Sequence, residues 1–408
     1  MVYVDDILFT SQDPNMLQKF KIHLKKDLEI KYAGLAKYCL GLNFQQQNGI
    51  VAMSQQSYIR ELLNRFDMTE AKTVVCPMDL GIRLKRSDEC DTEGLPYREL
   101  VGGLLYLATS TRPDIANTVS KLSQFLNYYD STHWKAAKRV LRYLKKTINF
   151  GLIFKRTDEP LFGYTDSDWA NSLDDRKSYT GFCFILSGSA ISWESRKQCT
   201  VALSSTEAEY MALSDGTKEA IYLRKLLNEL CDADVKSVLL LSDNKGAIKL
   251  AENPIFHRRT KHIDIRHHFV REALNNNVIN IKYISTEDMA ADVLTKALPF
   301  PKHYKCLEAL GIVSTDKYFS RDEKICGERT RGNEERTGGN EERTGGNEEG
   351  TGGNEEGTGR YEKGTVRYES RIGKENRARP SGNEERTGRN EEGTGRNEKS
   401  NPRCERKD

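Results

Sequence analysis

At 408 residues the chain has room for two or three domains, yet only 37% of it is hydrophobic and its mean hydropathy is −0.68, so part of it is expected to stay outside any core. A net charge of +3 is too small to announce nucleic-acid binding, which leaves that argument to local basic clusters. Nine scattered cysteines without a C-x-x-C pair argue against a zinc ribbon or a disulfide framework, and no apolar run approaches membrane-spanning length or a signal peptide. The expectation is a soluble intracellular protein with reduced thiols, in cytoplasm or nucleus, with no membrane partner.

In chain order, the first distinctive element is a helical pattern over His133–Thr147. Lys135, Lys138, Arg139, Arg142, Lys145 and Lys146 recur along it, several of them three or four apart, with Leu141 and Tyr143 at core positions. Such a stripe can neutralise phosphates; a solvated helix face is the competing reading. The globular part then divides near Arg156–Pro160. Leu161–Tyr164 reads as a strand that ends in Thr165-Asp166-Ser167-Asp168. Tyr179–Leu186 and Ala190–Trp193 read as a hairpin across Ser187-Gly188-Ser189. A long helix is expected from Thr206 to about Leu230, a short strand at Val238–Leu241 and a short helix at Gly246–Ala251. A basic helix at Ile263–Leu274, a strand at Val278–Ile284 and a closing helix at Asp288–Leu298 complete the series. The order β-β-β-α-β-α-α-β-α implies an α/β fold, with a mixed five-stranded sheet and helices on its faces. Beyond about Lys324 the sequence cycles through seven-residue units such as GNEERTG. Glycine recurs in every unit and there are no apolar heptad positions, so a disordered polar tail is expected.

Four acidic residues fall where strands end or helices begin, which is where an α/β sheet collects its functional groups. They are Asp166, Glu209, Asp243 and Asp292. Carboxylates gathered from four elements repel one another unless cations sit between them, and oxygen-only ligands favour Mg²⁺ or Mn²⁺. Two such ions about 3.5–4 Å apart can activate a water and stabilise the leaving oxygen of a phosphodiester displacement. Exposed acids are common, so spacing alone only suggests this. Neighbouring acids have structural readings. Ser204 and Glu207 fit a capping box, and Glu209 lies about 200° around the helix from Glu207, free to face the sheet. The rival register, with Thr206 capping and Glu209 structural, stays open. Asp288 would offset the dipole of the last helix, one turn before Asp292. Asp166 and Asp168 share a strand face, and either could be a ligand.

The segments GYTDSDWA, DDRKSYTGFCF, ISWESRKQ, VALSSTEAEYMAL, LSDNKGAIKLA, FHRRTKHIDIRHHFVRE and ADVLTKAL closely resemble the RNase H domain of copia-type retrotransposon polyproteins. The likeness runs from about Leu161 to Leu298 nearly without gaps. Upstream, Tyr3-Val4-Asp5-Asp6 looks like the palm hairpin of the same family's reverse transcriptase. YRELVGGLLYLATSTRPDIA and HWKAAKRVLRYLKKT look like its thumb and connection. The resemblance implies a division into 1–156 (partial palm, thumb and connection), 157–313 (RNase H-like) and 314–408 (tail). It also implies Asp166, Glu209, Asp243 and Asp292 as catalytic ligands of two Mg²⁺ or Mn²⁺ ions, with Asp5 and Asp6 as a vestigial polymerase metal pair. The loop Ser285-Thr286-Glu287 lacks the histidine that cellular members of the wider fold often place there.

The implied activity is cleavage of the RNA strand of an RNA–DNA hybrid, with no polymerisation by this chain alone. The implied partners are that hybrid and other products of such a polyprotein. The connection likeness tips the helix stripe (Lys135, Lys138, Arg139, Arg142, Lys145) toward hybrid contact, together with Arg258, Arg259 and Lys261 of the His257–His262 run. Zinc at that run is disfavoured, because no cysteine lies near it. Asn244 and Ser167 are rim candidates for reading 2′-hydroxyls, and Trp169 and Trp193 are expected in the core. The competing reading is a catalytically idle nucleic-acid-binding relic or gene fragment.

Overall fold

The computed structural model describes residues 2–4, 6–11, 13–87, 94–172, 174–231, 234–253 and 261–319, of which 261–264 by backbone alone. The repeat region from residue 320 onward lies outside them. So do Asp5, Arg258 and Arg259, and the side chain of Lys261. Near the start, β1 (Val2–Tyr3) and β2 (Asp6–Ile7) pair antiparallel, with Tyr3 opposite Asp6. Asp13 then caps α1 (Pro14–Asp27), whose first turn starts on a proline. Next come β3 (Tyr38–Cys39), β4 (Leu42–Gln47) and β5 (Ile50–Ser54). Four helices follow: α2 (Gln56–Arg65), α3 (Tyr97–Ser110), α4 (Ala116–Ser123) and α5 (Ser131–Lys146), and then β6 (Phe150–Phe154).

The second half begins with β7 (Phe162–Ser167), β8 (Tyr179–Leu186) and β9 (Ser189–Lys197), an antiparallel run. The long α6 (Ser205–Cys231) leads to β10 (Val238–Ser242), α7 (Lys245–Glu252), α8 (Lys261–Asn275) and β11 (Ile279–Tyr283). β10 lies parallel to both β7 and β11, giving the order β11-β10-β7-β8-β9. This is the mixed five-stranded sheet that the sequence pattern implied, in the RNase H-like form that the resemblance implied.

Two expectations need correction. The closing helix over Asp288–Leu298 does not form as one piece. A 3₁₀ turn, Thr286–Asp288, gives way to extended backbone at Met289, and only one helical turn, α9 (Asp292–Thr295), follows. Met289, Ala290 and Ala291 are buried, so core packing outweighs their helix propensity. The boundary at 313/314 also fails. After α10 (Phe300–Ala309), β12 (Ile312–Ser314) crosses back to pair with β6 in the first sheet, ordered β12-β6-β5-β4-β3. Residues 314–319 therefore belong to the folded part, with Lys155 Nζ 2.8 Å from Tyr318 Oη.

One hydrophobic core runs through both halves, from Ile59 and Leu104 through Leu141 to Cys183, Leu294 and Leu310. Inside it lies an ion pair with no exposure on either side. Arg112 grips Asp114 through Nε (2.9 Å) and Nη2 (2.7 Å), and also bonds the carbonyl and hydroxyl of Thr147. Tyr143 donates to Asp114 at 2.6 Å. Every polar atom of this pair that needs a partner has one, so the pair fixes α4 against α5 at tolerable cost. Replacing Arg112 by Met would strand a buried carboxylate. Urea denaturation of that variant should show a loss of about 3–5 kcal/mol, and a loss under 1 kcal/mol would contradict this account.

Candidate metal centre

Asp166 stands at the end of β7, directly opposite Gly181 of β8. A Cβ at Gly181 would come within 2.7 Å of Thr295 Cγ2 and 2.8 Å of Leu294 Cβ, so glycine is what lets α9 lie on the sheet. Gly216 does the same for α6, where a Cβ would meet Thr165 Cγ2 at 2.5 Å. Asp243 follows β10, the parallel neighbour of β7. These close approaches bring the carboxylate oxygens of Asp166, Asp243 and Asp292 within 4.8 Å of one another. Asp166 and Asp292 are 1% and 2% exposed, while Asp243 is half-buried and forms the open side.

Glu209 lies outside that 4.8 Å set but is buried beside it. It accepts the Ser167 N–H and feels the charges of Asp166 and Asp243. Its Oε2 has no hydrogen-bond partner. The capping question resolves as follows. Ser204 Oγ accepts the Glu207 N–H at 3.2 Å and Glu207 accepts the Leu203 N–H at 2.9 Å, so Glu207 is the helix-end residue. Asp168 turns away from the cluster, accepting the Tyr179 N–H and facing Lys121. Asp288 is exposed and pairs with Lys305 at 2.6 Å, which holds its carboxyl below the usual range.

Several groups at the site were not foreseen. Lys296 Nζ lies 2.8 Å from Asp292 Oδ1 and 3.5 Å from Asp166 Oδ2, and Lys302 Nζ lies 3.3 Å from Asp292 Oδ2. Thr295 donates to Asp166, and Thr286 donates to Asp243 at 2.7 Å. The i,i+4 spacing of Asp292 and Lys296 was a readable signal. Lys302 was not, because its reach depends on how α10 returns.

Burial drives the Asp166 carboxyl up to about 7; Lys296 opposes that rise and Asp292 adds to it. Burial also raises Glu209, with Asp166 and Asp243 adding their repulsion. Ammonium groups thus offset this crowding only in part. An all-oxygen donor set with buried, mutually repelling carboxylates fits a hard divalent cation.

The other candidate residues divide. On α5, Lys135 is exposed, and Lys138 lies over the Trp134 ring at 5.4 Å. The next three turn toward protein. Arg139 pairs with Asp79 (2.6 Å), Arg142 Nε donates to the Lys72 carbonyl (2.5 Å), and Lys145 to that of Ala71 (3.1 Å). Ser167 Oγ donates to the Asp168 carbonyl and accepts from Gln198, so its hydroxyl is engaged. Asn244 caps α7 through Oδ1. Trp193 is half-buried as expected, but Trp169 is 55% exposed, against expectation. The backbone after it takes a positive φ at Ala170 (+52°), and Trp169 Nε1 donates to the Ala202 carbonyl. No helix among the described residues is long and apolar enough to cross a membrane.

Residues 1–80 match the family described as reverse transcriptase (RNA-dependent DNA polymerase). The chain is 39% identical over 323 residues to the retrovirus-related Pol polyprotein from transposon TNT 1-94 of Nicotiana tabacum, covering 77% of this chain and 24% of that one. It is 32% identical over 222 residues to a putative transposon Ty5-1 protein of Saccharomyces cerevisiae, covering 53% and 72%. A 132-residue stretch is 52% identical to secreted RxLR effector protein 161 of Plasmopara viticola, covering 32% and 93%. The chain therefore spans only about a quarter of the first of these relatives. Among solved structures, LC11-RNase H1 in complex with RNA/DNA hybrid overlays 33% of this chain and 94% of that one, at 15% identity and a TM-score of 0.27. An overlay at that score adds nothing to the strand order.

The raised Asp166 carboxyl gives a pH prediction for the protein held in EDTA. In the unfolded chain Asp166 ionises near 3.8; in the folded chain it keeps its proton to about 7. Between those values the unfolded state binds fewer protons, so stability falls as pH rises, at up to about 1.4 kcal/mol per pH unit, and levels off above 7. Denaturant titrations across that window should show the decline, flattened in Asp166→Asn. An equal decline in the variant would contradict the assignment.

Proposed function

The chain belongs to the copia-type retrotransposon Pol polyprotein family, and on that premise we propose that its RNase H-like part is an endonuclease hydrolysing the RNA strand of RNA–DNA hybrids. The observation that carries this reading is the convergence of Asp166, Asp243 and Asp292 within 4.8 Å, with Glu209 beside them. These four would hold two Mg²⁺ or Mn²⁺ ions. When bound, such ions supply water activation and charge stabilisation for phosphodiester displacement.

The chain's own residues do the rest. Gly181 and Gly216 hold α9 and α6 against the sheet, so the carboxylates arrive preorganised. Thr295 and Thr286 fix the orientation of Asp166 and Asp243. Lys296 and Lys302 limit the repulsion at Asp292. Asp243, the least buried of the three, faces the side from which a phosphate would approach. Asn244, next to it, is the candidate reader of a 2′-hydroxyl. Among the described residues the group of three acids that could hold a metal is the one at the second sheet, and we infer no DNA polymerisation by this polypeptide alone.

A labelled RNA–DNA hybrid incubated with the purified full chain and Mg²⁺ tests this. The RNA strand should be cut, without primer extension. Asp243→Asn should lose cleavage by more than about 100-fold, since weakening even the outer partners of metal ligands costs about 10–100-fold. Undiminished cleavage by a folded Asp243→Asn protein would refute the site. Salt-dependent hybrid binding with no cleavage by the wild-type chain would favour a binding protein without turnover.

A further inference from the structure

Between α2 and α3 the chain runs as an extended strap, Gly81–Ser87, across the face where the two halves meet. Its side chains alternate. Ile82 and Leu84 pack against the shared core, while Arg83 and Lys85 are exposed, as is Arg86. Neither Arg83 nor Lys85 makes an ion pair or hydrogen bond with the described protein, and Arg86 lies over the Tyr128 ring at 4.3 Å. The residues just before the strap are held by the basic side of α5: Arg139 by Asp79, Arg142 by the Lys72 carbonyl, Lys145 by the Ala71 carbonyl. The helix stripe thus anchors a second set of cations.

Beneath the strap is a cavity of about 430 Å³, with Arg83 on one wall and Lys121, Gln124, Asn171, Tyr179 and Lys296 on the others. Lys296, which lines this cavity, also touches Asp166 and Asp292, so it stands between the cavity and the carboxylate cluster. A second cavity of about 400 Å³ shares Arg83 and Leu84 with it and is also lined by Lys85, Arg86 and Asp130, the acid that caps α5. The acids in the first wall are Asp79, which is taken by Arg139, and Asp174. Cations therefore outnumber acids along a path from the surface strap to Lys296 at the edge of the carboxylate cluster.

We infer that this path seats the sugar-phosphate backbone of the hybrid strand beside the cleavage point, with Arg83, Lys85 and Arg86 on its phosphates. The inference rests on the nuclease reading above and deepens it. The reverse-transcriptase-type half supplies part of the nuclease's substrate site, and the hybrid contacts lie on the strap more than on α5.

The test is hybrid binding by the full chain in EDTA, where no turnover occurs, measured by fluorescence anisotropy over a range of salt. The triple variant Arg83→Ala/Lys85→Ala/Arg86→Ala should bind at least about tenfold more weakly near 0.1 M salt. Its log Kd against log salt slope should drop by about 2–3, close to one per lost phosphate contact. Its circular dichroism and melting temperature should match the wild type, because these side chains carry little of the fold. Lys135→Ala/Lys138→Ala on α5 should change binding by less than about threefold. An unchanged slope in the strap variant, or a larger loss in the α5 variant, overturns the inference. Because binding is read without cleavage, a chain that proves unable to cut hybrid would sink the nuclease reading and still leave the strap decided. If the wild-type chain cleaves, the strap variant should raise KM more than it lowers kcat.

Discussion

Three carboxylates within 4.8 Å, two of them almost wholly buried, form a repulsive arrangement that folding must bring together and hold. Much of the local architecture answers that constraint. Two glycines let α6 and α9 come close enough to the sheet to deliver their acids. Two lysines and two threonines then surround the oxygens so that the cluster survives burial. Yet Asp166 still holds its proton to about 7, so these contacts leave the cluster short of positive charge. A site stabilised enough to fold but still electron-rich is suited to taking up divalent cations.

The second sheet is not a separable bead on the chain. β12 crosses from beyond α10 into the first sheet, and the large core draws side chains from both halves. The Arg112–Asp114 pair and Tyr143 tie α4 to α5, and Asn117 of α4 reaches the Leu294 carbonyl at 3.1 Å. Through α9 that packing bears on where Asp292 stands. The first half of the chain therefore has a structural role in the RNase H-like half.

Four strands of the second sheet were legible within a residue or two, because β-branched and aromatic runs bounded by glycine and serine leave little choice of period, while β9 runs four residues past its expected end at Trp193. Glu209 could be separated from Glu207 by capping logic, and the hydrogen bonds of Ser204 and Glu207 agree. What stayed hidden depended on distant partners. The α5 cations looked free because their partners, Ala71, Lys72 and Asp79, lie some 70 residues earlier. The outward cations of the strap were invisible to a search at helical period, since an extended segment alternates every second residue. The last helix broke because burial of Met289–Ala291 outweighed a pattern that read as continuous. Trp169 misled as well: it lies in a loop after β7, where its indole Nε1 finds the distant Ala202 carbonyl while the ring stays exposed.

The central claim is that these acidic residues form a divalent-metal site. Anomalous scattering from crystals of the full chain soaked in Mn²⁺ addresses it directly. The account predicts density among Asp166, Asp243 and Asp292, with Glu209 turned toward it and the Lys296 ammonium displaced. Crystals that show no Mn²⁺ there, with Lys296 still bridging Asp166 and Asp292, would contradict it.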